Sequence, residues 1–422
     1  MVNPRAFRWQ TIADIWACTM PDLEIDWVGG WEPGLATQTN TAQLHIQRNT
    51  FGLLRRVLER NRNTPLPINT QTKTAQPSTP NPLLRWVKWL YAQTYWPDAV
   101  FFWQHSATQA AKQLLDNQPY HALFSIAPFF SAHWLALHLA RPRPELFWVA
   151  DYGDPFSPQT IQAHNNRRLY AGLNRWAEGQ VLARANAITL TTPAQQQLYA
   201  TAFPSITSKI HVIPPVLPKP AAVTTPAAPP FDPFAAKIRW LCVGKLYAAV
   251  RRPTFLLRLF AAVRQQLPQL SLELHFIGDS SAVQSDFAPY QSLLGQVIFQ
   301  HGTVTQAVAQ AAQQAAQVLV NIGNLTTHQL PSKVVEYANT GLPVLNLAQV
   351  PDDSSAIFFK NYAAARTVWD LPDIDFDTQV QAICAWLQPL PQRLSGEQLS
   401  QFLQPYQAST VAQHYWELLP NL

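Results

Sequence analysis

Residues 328–345 read HQLPSKVVEYANTGLPVL, and this stretch decides the fold. Pro331 suits the first turn of a helix, where its missing N–H costs nothing, and Gly341 suits the left-handed residue that follows the last turn. The apolar runs 318–322 and 344–345 on either side are typical of buried strands. The stretch therefore predicts a strand, a loop, a helix and a second strand, which is the unit from which parallel sheets are built.

The amino end of this predicted helix has chemistry that suits an anion. In such a unit the helix begins at the carboxyl edge of the sheet, where its unpaired amides and its dipole attract negative charge. Lys333 adds a full positive charge, and Glu336, one turn later, can reach hydroxyl groups on whatever carries that anion. An ordinary amphipathic helix of a doubly wound protein is the alternative interpretation of the same residues.

Ser332, Lys333 and Glu336, followed by the Gly-Leu-Pro-Val of residues 341–344, resemble the GT4-like group of retaining glycosyltransferases. These enzymes have the GT-B fold and build cell-surface glycans. The resemblance implies an α/β protein with two Rossmann-like domains facing across a cleft, the nucleotide-sugar donor on the second domain and the acceptor on the first. In that family the same loop and helix hold the sugar nucleotide, so Pro331 and these three residues are expected to bind the donor.

Length, composition and cysteine usage narrow the class of protein. The chain has 422 residues, of which 47% are hydrophobic and 13% charged, which indicates a globular protein long enough for two domains. It contains no run of about eighteen apolar residues and no signal peptide at its start, so we expect a cytoplasmic location. Cys18, Cys242 and Cys384 lack the spacing of metal ligands and are expected to be reduced core residues.

Positive charge is concentrated in the first half of the chain. Residues 1–220 contain 19 Lys and Arg against 12 Asp and Glu, a balance of +7, and the remainder contains 11 against 13, or −2, which together give the net +5. This asymmetry indicates an anionic partner, such as a phospholipid surface or a lipid diphosphate acceptor, or else scattered solubilising charge. The basic residues form no dense stripe, which argues against nucleic acid as a partner.

Residues 83–91, LLRWVKWLY, combine aromatic and basic side chains on one predicted helix: Arg85, Trp86, Lys88 and Trp89. Tryptophan favours the membrane interface, and Arg and Lys attract anionic headgroups. The segment predicts peripheral contact with the inner face of a membrane. A tryptophan-rich helix of the protein core is the alternative.

Acceptor binding is assigned to the first domain. A predicted buried strand ends in residues 151–155, Asp-Tyr-Gly-Asp-Pro, where a subset of GT4-like enzymes has Asp-Phe-Arg-Asp-Pro; Gly153 therefore replaces an arginine. Because ligands of open α/β sheets bind at the carboxyl ends of the strands, Asp154 is expected to orient an acceptor hydroxyl. His133, at the start of the preceding helix, is expected to contact sugar or phosphate. A packed helix residue is the alternative for His133.

The second domain begins with a predicted strand that ends in Gly244 and Lys245, and Arg252 precedes the next helix. GT4-like enzymes have two basic residues at these points, which neutralise the leaving diphosphate. The resemblance therefore assigns that role to Lys245 and Arg252, with Arg251 as a competing candidate for the second position. Gly244 and Arg251 are also expected to line the donor site.

One departure from the family bears on the chemistry. The broad family has two glutamates eight positions apart; Glu336 fills the second, which binds ribose, and His328 stands at the first, which contacts the transferred sugar. The loss of that glutamate implies a changed donor preference or weak activity. With this exception the resemblance implies a retaining hexosyltransferase, independent of metal and cofactor, that moves a sugar from a nucleotide-sugar to a glycan or lipid-linked acceptor in polysaccharide synthesis.

Two alternatives stay open beside that function, and one metal site is considered separately. A sugar-nucleotide epimerase would share the fold and release an altered nucleotide-sugar. A non-catalytic binding protein derived from a glycosyltransferase would keep the fold and lose the chemistry. The spaced aspartates Asp373, Asp375 and Asp377 could hold a divalent cation, although they fall in a predicted loop.

The predicted domain limits are 1–216 for the first domain, 217–236 for a Pro/Ala-rich linker, 237–400 for the second domain and 401–422 for a C-terminal helix that can pack back on the first. The resembled family has a strand before its first helix, whereas here a predicted helix follows almost directly upon Met1. A missing central strand would leave buried backbone groups unpaired. We therefore expect the natural protein to begin upstream with roughly ten to fifteen further residues containing an apolar strand, which the upstream codons decide.

Overall fold

The computed structural model describes residues 4–30, 42–47, 86, 91, 93–99, 101–127, 129–161, 163–217 and 227–420. They form two compact units. The first unit comprises Met1–Leu190, Tyr199–His211 and Ala412–Leu422, and the second comprises Thr191–Leu198 and Val212–Val411. In the ranges just given, no helix has both the length and the apolar character that crossing a bilayer requires.

Some of the sequence predictions fall outside the described residues. These are the side chains of Arg85, Lys88 and Trp89 in the predicted interface helix, and residues 218–226 of the predicted linker. Trp86, in a helical conformation, is described and is more than half exposed.

The first unit contains four strands in sequential order, β3-β4-β5-β6, and a separate parallel pair, β1-β2. Strand β3 has one hydrogen-bonded neighbour among the described residues, which is β4. The elements of this unit in chain order are α1 (Pro4–Thr19), β1 (Ile25–Gly30), β2 (Ala42–Gln47), α2 (Gln104–Asn117), β3 (Ala122–Ile126), α3 (Phe130–Ala140), β4 (Phe147–Asp151), α4 (Arg167–Arg184), β5 (Ala187–Leu190), α5 (Pro193–Ala202), which begins in the second unit, and β6 (Ile210–Val212).

The core of the first unit lies between its sheet and its helices. Strand β4 is buried over its last four residues, and α4 contributes Ala177, Val181 and Leu182, whose spacing places them on one face of the helix. The large rings of Trp148 and Tyr199 are fully buried in the same cluster.

A buried carboxylate ties both ends of the chain to this sheet. Asp151, the last residue of β4, accepts hydrogen bonds at 2.7 Å from Trp9 Nε1, Tyr415 OH and Thr189 Oγ1, and Arg8 Nη2 donates to Tyr415 OH at 2.7 Å. Burial alone would raise the pKa of Asp151, but the Arg8 charge and these hydrogen bonds outweigh it and lower the pKa. Asp151 is therefore ionised inside the folded unit.

The second unit contains a six-stranded sheet in the order β12-β11-β10-β7-β8-β9, with every neighbouring pair parallel. Its elements are β7 (Ile238–Val243), α6 (Thr254–Gln266), β8 (Leu272–Ile277), α7 (Gln284–Phe287), β9 (Ile298–Gln300), α8 (Gln306–Ala315), β10 (Val318–Ile322), α9 (Ser332–Asn339), β11 (Val344–Ala348), α10 (Ser354–Phe359), β12 (Ala365–Trp369), α11 (Phe376–Trp386), α12 (Gly396–Leu403) and α13 (Ala408–Trp416), which ends in the first unit.

Three neighbouring strands of the second sheet share one row of polar residues. Asn321 on β10, Asn346 on β11 and Thr367 on β12 are paired in register, and both asparagines are buried. Asn321 Nδ2 donates to Asn346 Oδ1 at 2.7 Å, and Asn346 Nδ2 donates to Thr367 Oγ1 at 3.4 Å. These bonds satisfy polar groups that would otherwise be costly inside a core.

Four helices of the second unit begin at a side chain that accepts a hydrogen bond from a backbone amide. The capping residues are Thr305 for α8, Asp353 for α10, Asp375 for α11 and Ser395 for α12. Helix α9 differs, because its N-cap is Pro331, which has no side-chain acceptor. The sequence predicted Pro331 inside the first turn; it stands one residue earlier. Gly341 has φ +72°, which confirms the predicted left-handed residue after the helix.

The cysteine prediction holds only in part. All three thiols are free, but Cys18 is exposed, Cys384 is half-buried and Cys242 alone is buried. Cys18 lies on the outer side of α1, whose opposite face carries the buried Ile12 and Trp16. Apolar neighbours in the sequence could not distinguish the two faces.

Candidate functional site

The strand order of the second unit reverses between β7 and β10. In doubly wound sheets ligands bind at this point, beyond the carboxyl ends of the two strands. The loop 244–253 follows β7 and the loop 323–331 follows β10. We call these two loops and the first turn of α9 the switch-point site.

Two glycines fix the direction in which the chain leaves β7. Gly244 has φ +134° and Gly278, after β8, has φ +133°. A Cβ on Gly278 would lie 2.3 Å from the carbonyl oxygen of Gly244, so no larger residue fits there without displacing that loop. Gly244 N also donates to Ile277 O at 2.8 Å. The position of Lys245 is thereby set by the backbone.

Lys245 lies at the exposed side of the switch-point site. Its Nζ is 2.9 Å from Asp279 Oδ2, and Asp279 Oδ1 accepts a bond from Ser281 Oγ at 2.6 Å. Ser281 and then Lys245 lower the pKa of Asp279. An ion pair this exposed contributes little to stability. Lys245 can therefore turn from Asp279 to an incoming anion at small cost.

Arg252 is committed to a carboxylate of its own unit. Its Nε donates to Asp286 Oδ2 at 3.0 Å and its Nη2 donates to Oδ1, and Thr254 Oγ1 donates to the same carboxylate at 3.2 Å. The hydrogen bonds from Arg252 lower the pKa of Asp286, whose side chain is 3% exposed. Such a bidentate pair has a fixed geometry, and removing Arg252 would leave a buried charge alone.

Arg251 spans the two loops of the switch-point site. Its Nη2 donates to Asn324 Oδ1 at 3.0 Å, and its Nη1 lies 3.7 Å from the point where a Cβ on Gly244 would stand. Paired backbone bonds between Tyr247 and Arg251, at 2.9 and 3.1 Å, close the turn that carries it. Its buried Nε has no hydrogen-bond partner within the described parts of the chain. Of the two adjacent arginines, Arg251 is the one directed at the switch point.

Helix α9 is anchored beside the end of β7. The hydroxyl of Tyr337 accepts a hydrogen bond from Val243 N at 2.7 Å. Pro331 is extended, with φ −60° and ψ 132°, and the helix starts at Ser332 without a side-chain cap, so its first amides keep their capacity to bind an anion. Lys333 Nζ donates to Glu336 Oε2 on the same helix.

The loop between β10 and α9 begins at a glycine that packs closely against a buried carboxylate. A Cβ on Gly323 would lie 2.2 Å from Asp353 Oδ2, and Gly323 N donates to Leu347 O at 2.7 Å. Burial raises the pKa of Asp353. Ser354 Oγ donates to Gln329 O at 2.9 Å, next to the half-buried His328. Asp353 carries no sequence signal, because its role depends on a glycine thirty positions earlier.

The two residues predicted in the first unit have different environments. His133 is fully buried on α3, with its Nδ1 2.7 Å from Ser125 Oγ and its ring stacked on Tyr152 at 4.2 Å. This environment is the one that the packed-residue alternative describes. Asp154 is half-buried in the loop that follows β4.

Glu178 is a residue of the first unit that sequence reasoning did not find. It is fully buried on α4 and accepts hydrogen bonds from Ser157 N at 2.9 Å, from Ser157 Oγ and from Tyr199 OH at 2.7 Å. Ser157 follows Asp154 by three positions, so Glu178 holds the loop that carries Asp154. Burial raises the pKa of Glu178 to about 7, and these bonds only partly oppose it.

The raised pKa of Glu178 predicts a pH-dependent stability. The ordinary value is 4.5, so between that pH and about 7 the folded protein retains a proton that the unfolded chain has lost. Ionisation therefore works against folding, and over this range the free energy of unfolding should fall by about 3 kcal/mol relative to Glu178→Gln, which cannot ionise. Urea unfolding of both proteins near pH 4.5 and pH 7.5 measures this difference. If the wild type and Glu178→Gln differed in free energy of unfolding by the same amount at both pH values, the raised pKa of Glu178 would be contradicted.

One of the three aspartates considered for a metal, Asp375, caps a helix. Asp375 Oδ2 accepts from Thr378 N at 2.7 Å and from Thr378 Oγ1 at 2.8 Å, which caps α11. The backbone hydrogen bond of Thr378 lowers the pKa of Asp375. Where side chains are described, no three His, Cys, Asp or Glu residues are arranged to hold a metal ion.

The second unit thus brings together Gly244, Lys245, Arg251 and the start of α9, with Pro331, Ser332, Lys333 and Glu336. No family model and no curated protein matches the sequence. Solved structures do match. One is sucrose-phosphate synthase from Thermosynechococcus elongatus, with 15% sequence identity and a TM-score of 0.51; the match covers 77% of this chain and 79% of the synthase chain. Another is a glycosyltransferase from Rickettsia africae, with 11% sequence identity and a TM-score of 0.51; the match covers 90% of this chain and 91% of the Rickettsia chain.

A third match is α,α-trehalose 6-phosphate synthase from Burkholderia multivorans, with 12% identity over 75% of each chain and a TM-score of 0.50. Identities this low show the fold alone. With the parallel sheets of both units, they establish that the chain has the GT-B fold of these glycosyltransferases. The predicted fold class is confirmed.

Proposed function

We propose that the protein is a retaining glycosyltransferase of the GT4-like group, which transfers a hexose from a nucleotide-sugar to a glycan or lipid-linked acceptor in cell-surface polysaccharide synthesis. The observation that supports it most is the charge at the switch point. Lys245, Arg251 and the uncapped start of α9 direct positive charge to the one place where a doubly wound sheet binds ligands.

In this proposal the cations act on the leaving group. As the bond between sugar and diphosphate breaks, negative charge grows on the diphosphate oxygens, and preorganised positive groups stabilise the transition state more than the bound substrate. Arg251 is held by Asn324 and by its own turn, so little reorganisation is needed. Arg252 stays paired with Asp286 and supports the start of α6 from outside the site.

Glu336 would fix the nucleoside. A carboxylate accepts several hydrogen bonds, so Glu336 can bind paired ribose hydroxyls while Lys333 stays on its Oε2 atom. The base and the sugar would be set by the loop that contains His328, where the family glutamate is replaced. The resemblance, not the site geometry, is what supports retention.

The acceptor would bind on the first unit near Asp154, on the loop that Glu178 holds. The excess of positive charge in the first half of the chain suits a lipid diphosphate acceptor and a peripheral position at the inner face of a membrane, to which Trp86 and its neighbours would contribute. His133 would then support this loop from the core through Tyr152.

A donor screen tests the proposed function. Nucleotides and nucleotide-sugars that bind the folded protein should raise its melting temperature. Incubation of the stabilising donor with and without acceptor, followed by product analysis, separates transfer from epimerisation. A protein that no nucleotide-sugar stabilises would be neither enzyme.

We expect Glu336→Gln to weaken binding of the stabilising nucleotide by about tenfold, because a neutral amide is a poorer acceptor for two hydroxyls. Titration calorimetry with the nucleotide alone measures the effect. Glu397→Gln is the control, since Glu397 is an exposed residue in the first turn of α12. Equal affinities of both variants would remove Glu336 from the nucleoside site.

A further inference from the structure

Helix α4 has an apolar stripe that stays exposed among the described residues of the first unit. Leu169, Leu173 and Trp176 are 61%, 40% and 54% exposed. Their spacing of four and three residues places them on one face, opposite the side that buries Glu178 and Leu182. Such a row of large apolar side chains marks a surface that contacts a partner.

The exposed charged residues of α4 are all positive. Arg168 and Arg175 are exposed, seven positions apart, and therefore lie on an adjacent face. Arg175 donates to Ala202 O at 2.7 Å and keeps further N–H groups. The single acidic residue of α4, Glu178, is buried. A phosphate-rich surface would complement this face.

Neighbouring elements extend the same surface. Trp134 of α3 is half-buried, and its ring lies 5.9 Å from that of Trp176. Gln93 and Thr94, which follow the aromatic and basic segment 83–91 in the chain, accept hydrogen bonds at 2.7 Å from Asn166 and Tyr170 at the start of α4. The surface is therefore not confined to one helix.

We propose that this face of α4 rests on an anionic bilayer, with Leu169, Leu173 and Trp176 in the headgroup layer and Arg168 and Arg175 on lipid phosphates. Tryptophan and leucine beside arginine are the residues of interfacial helices. A second copy of the chain is a poorer fit, because three exposed side chains are far fewer than the roughly twenty residues a side of a stable dimer. The proposal does not depend on the glycosyltransferase activity.

Vesicle binding tests the proposal with single substitutions at exposed positions. We expect the full chain to co-sediment with vesicles of phosphatidylcholine and phosphatidylglycerol, and Trp176→Ala and Leu169→Ala each to lower the partition coefficient by about fivefold or more. Arg168→Ala should lower it by about fivefold at low salt and have little effect at high salt. The control is Phe234→Ala, which removes a side chain 93% exposed in the second unit and should change nothing.

Two results would overturn the proposal. In the first, the wild-type protein stays in the supernatant at low salt; in the second, the α4 variants bind vesicles as well as the wild type does. A change of oligomeric state in Trp176→Ala, seen by light scattering, without vesicle binding of the wild type, would assign the face to a second copy of the chain. Circular dichroism of each variant confirms that the fold is intact.

Discussion

Replacing Arg251 with alanine should lower kcat by about a hundredfold while the affinity for the nucleotide falls much less. The reason is that a cation opposing charge that develops on the leaving diphosphate acts mainly in the transition state. Lys245→Ala should show the same pattern. The measurement is steady-state turnover with the donor found by thermal shift, beside nucleotide affinity by calorimetry.

The neighbouring arginine supplies the matched control. Arg252→Ala removes an equal charge one residue away, but it breaks the pair with the buried Asp286. We therefore expect it to lower the melting temperature and to reduce kcat by less than about tenfold. The family resemblance alone named Arg252 for this role. A hundredfold loss in Arg252→Ala with full activity in Arg251→Ala would restore that assignment and refute ours.

Replacing Asp151 with alanine should destabilise the first unit by about 3–5 kcal/mol, because the buried Arg8 loses the attraction of this negative charge and three donors lose their acceptor. Urea unfolding at neutral pH measures the loss. The folded pKa of Asp151 is lowered from 3.8, so its contribution is complete above that value and is lost as the pH falls towards the folded pKa. The difference in free energy of unfolding between the wild type and Asp151→Ala should therefore decrease in acid.

Tyr415→Phe tests the same network with a smaller change. It removes one hydroxyl between Arg8 and Asp151 but keeps both charges, and we expect a loss of about 1 kcal/mol. If Asp151→Ala were no more destabilising than Tyr415→Phe, the carboxylate would not be the centre of the network.

The elements that local pattern specifies were predictable from the sequence. The strand at Val318–Ile322 and the left-handed stop at Gly341 are both confirmed, since each follows from residues within a few positions. The GT-B fold class followed from the family resemblance of residues 332–344, beyond what the local pattern alone predicts. The edge strand β12 was not predicted, because only one of its five residues is fully buried and its apolar signal is weak.

The partners of charged side chains were not predictable, because they come from distant positions. The sequence shows two adjacent arginines after β7 and does not show that Asp286 binds one while Asn324 binds the other. Glu178 is a similar case, since its three hydrogen bonds come from Ser157 and Tyr199, each 21 positions away in opposite directions. The sequence shows which loop carries a charged side chain, whereas only the folded structure shows which group that side chain binds.

The row formed by Asn321, Asn346 and Thr367 has a consequence for how the second sheet assembles. Apolar strands can slide past one another, since one valine or leucine packs nearly as well as the next. A shift of β11 by one residue would turn Asn346 to the other face and leave amide groups of both asparagines buried without partners, each costing about 1–3 kcal/mol. The three polar residues therefore disfavour assembly intermediates in which β10, β11 and β12 are shifted out of register.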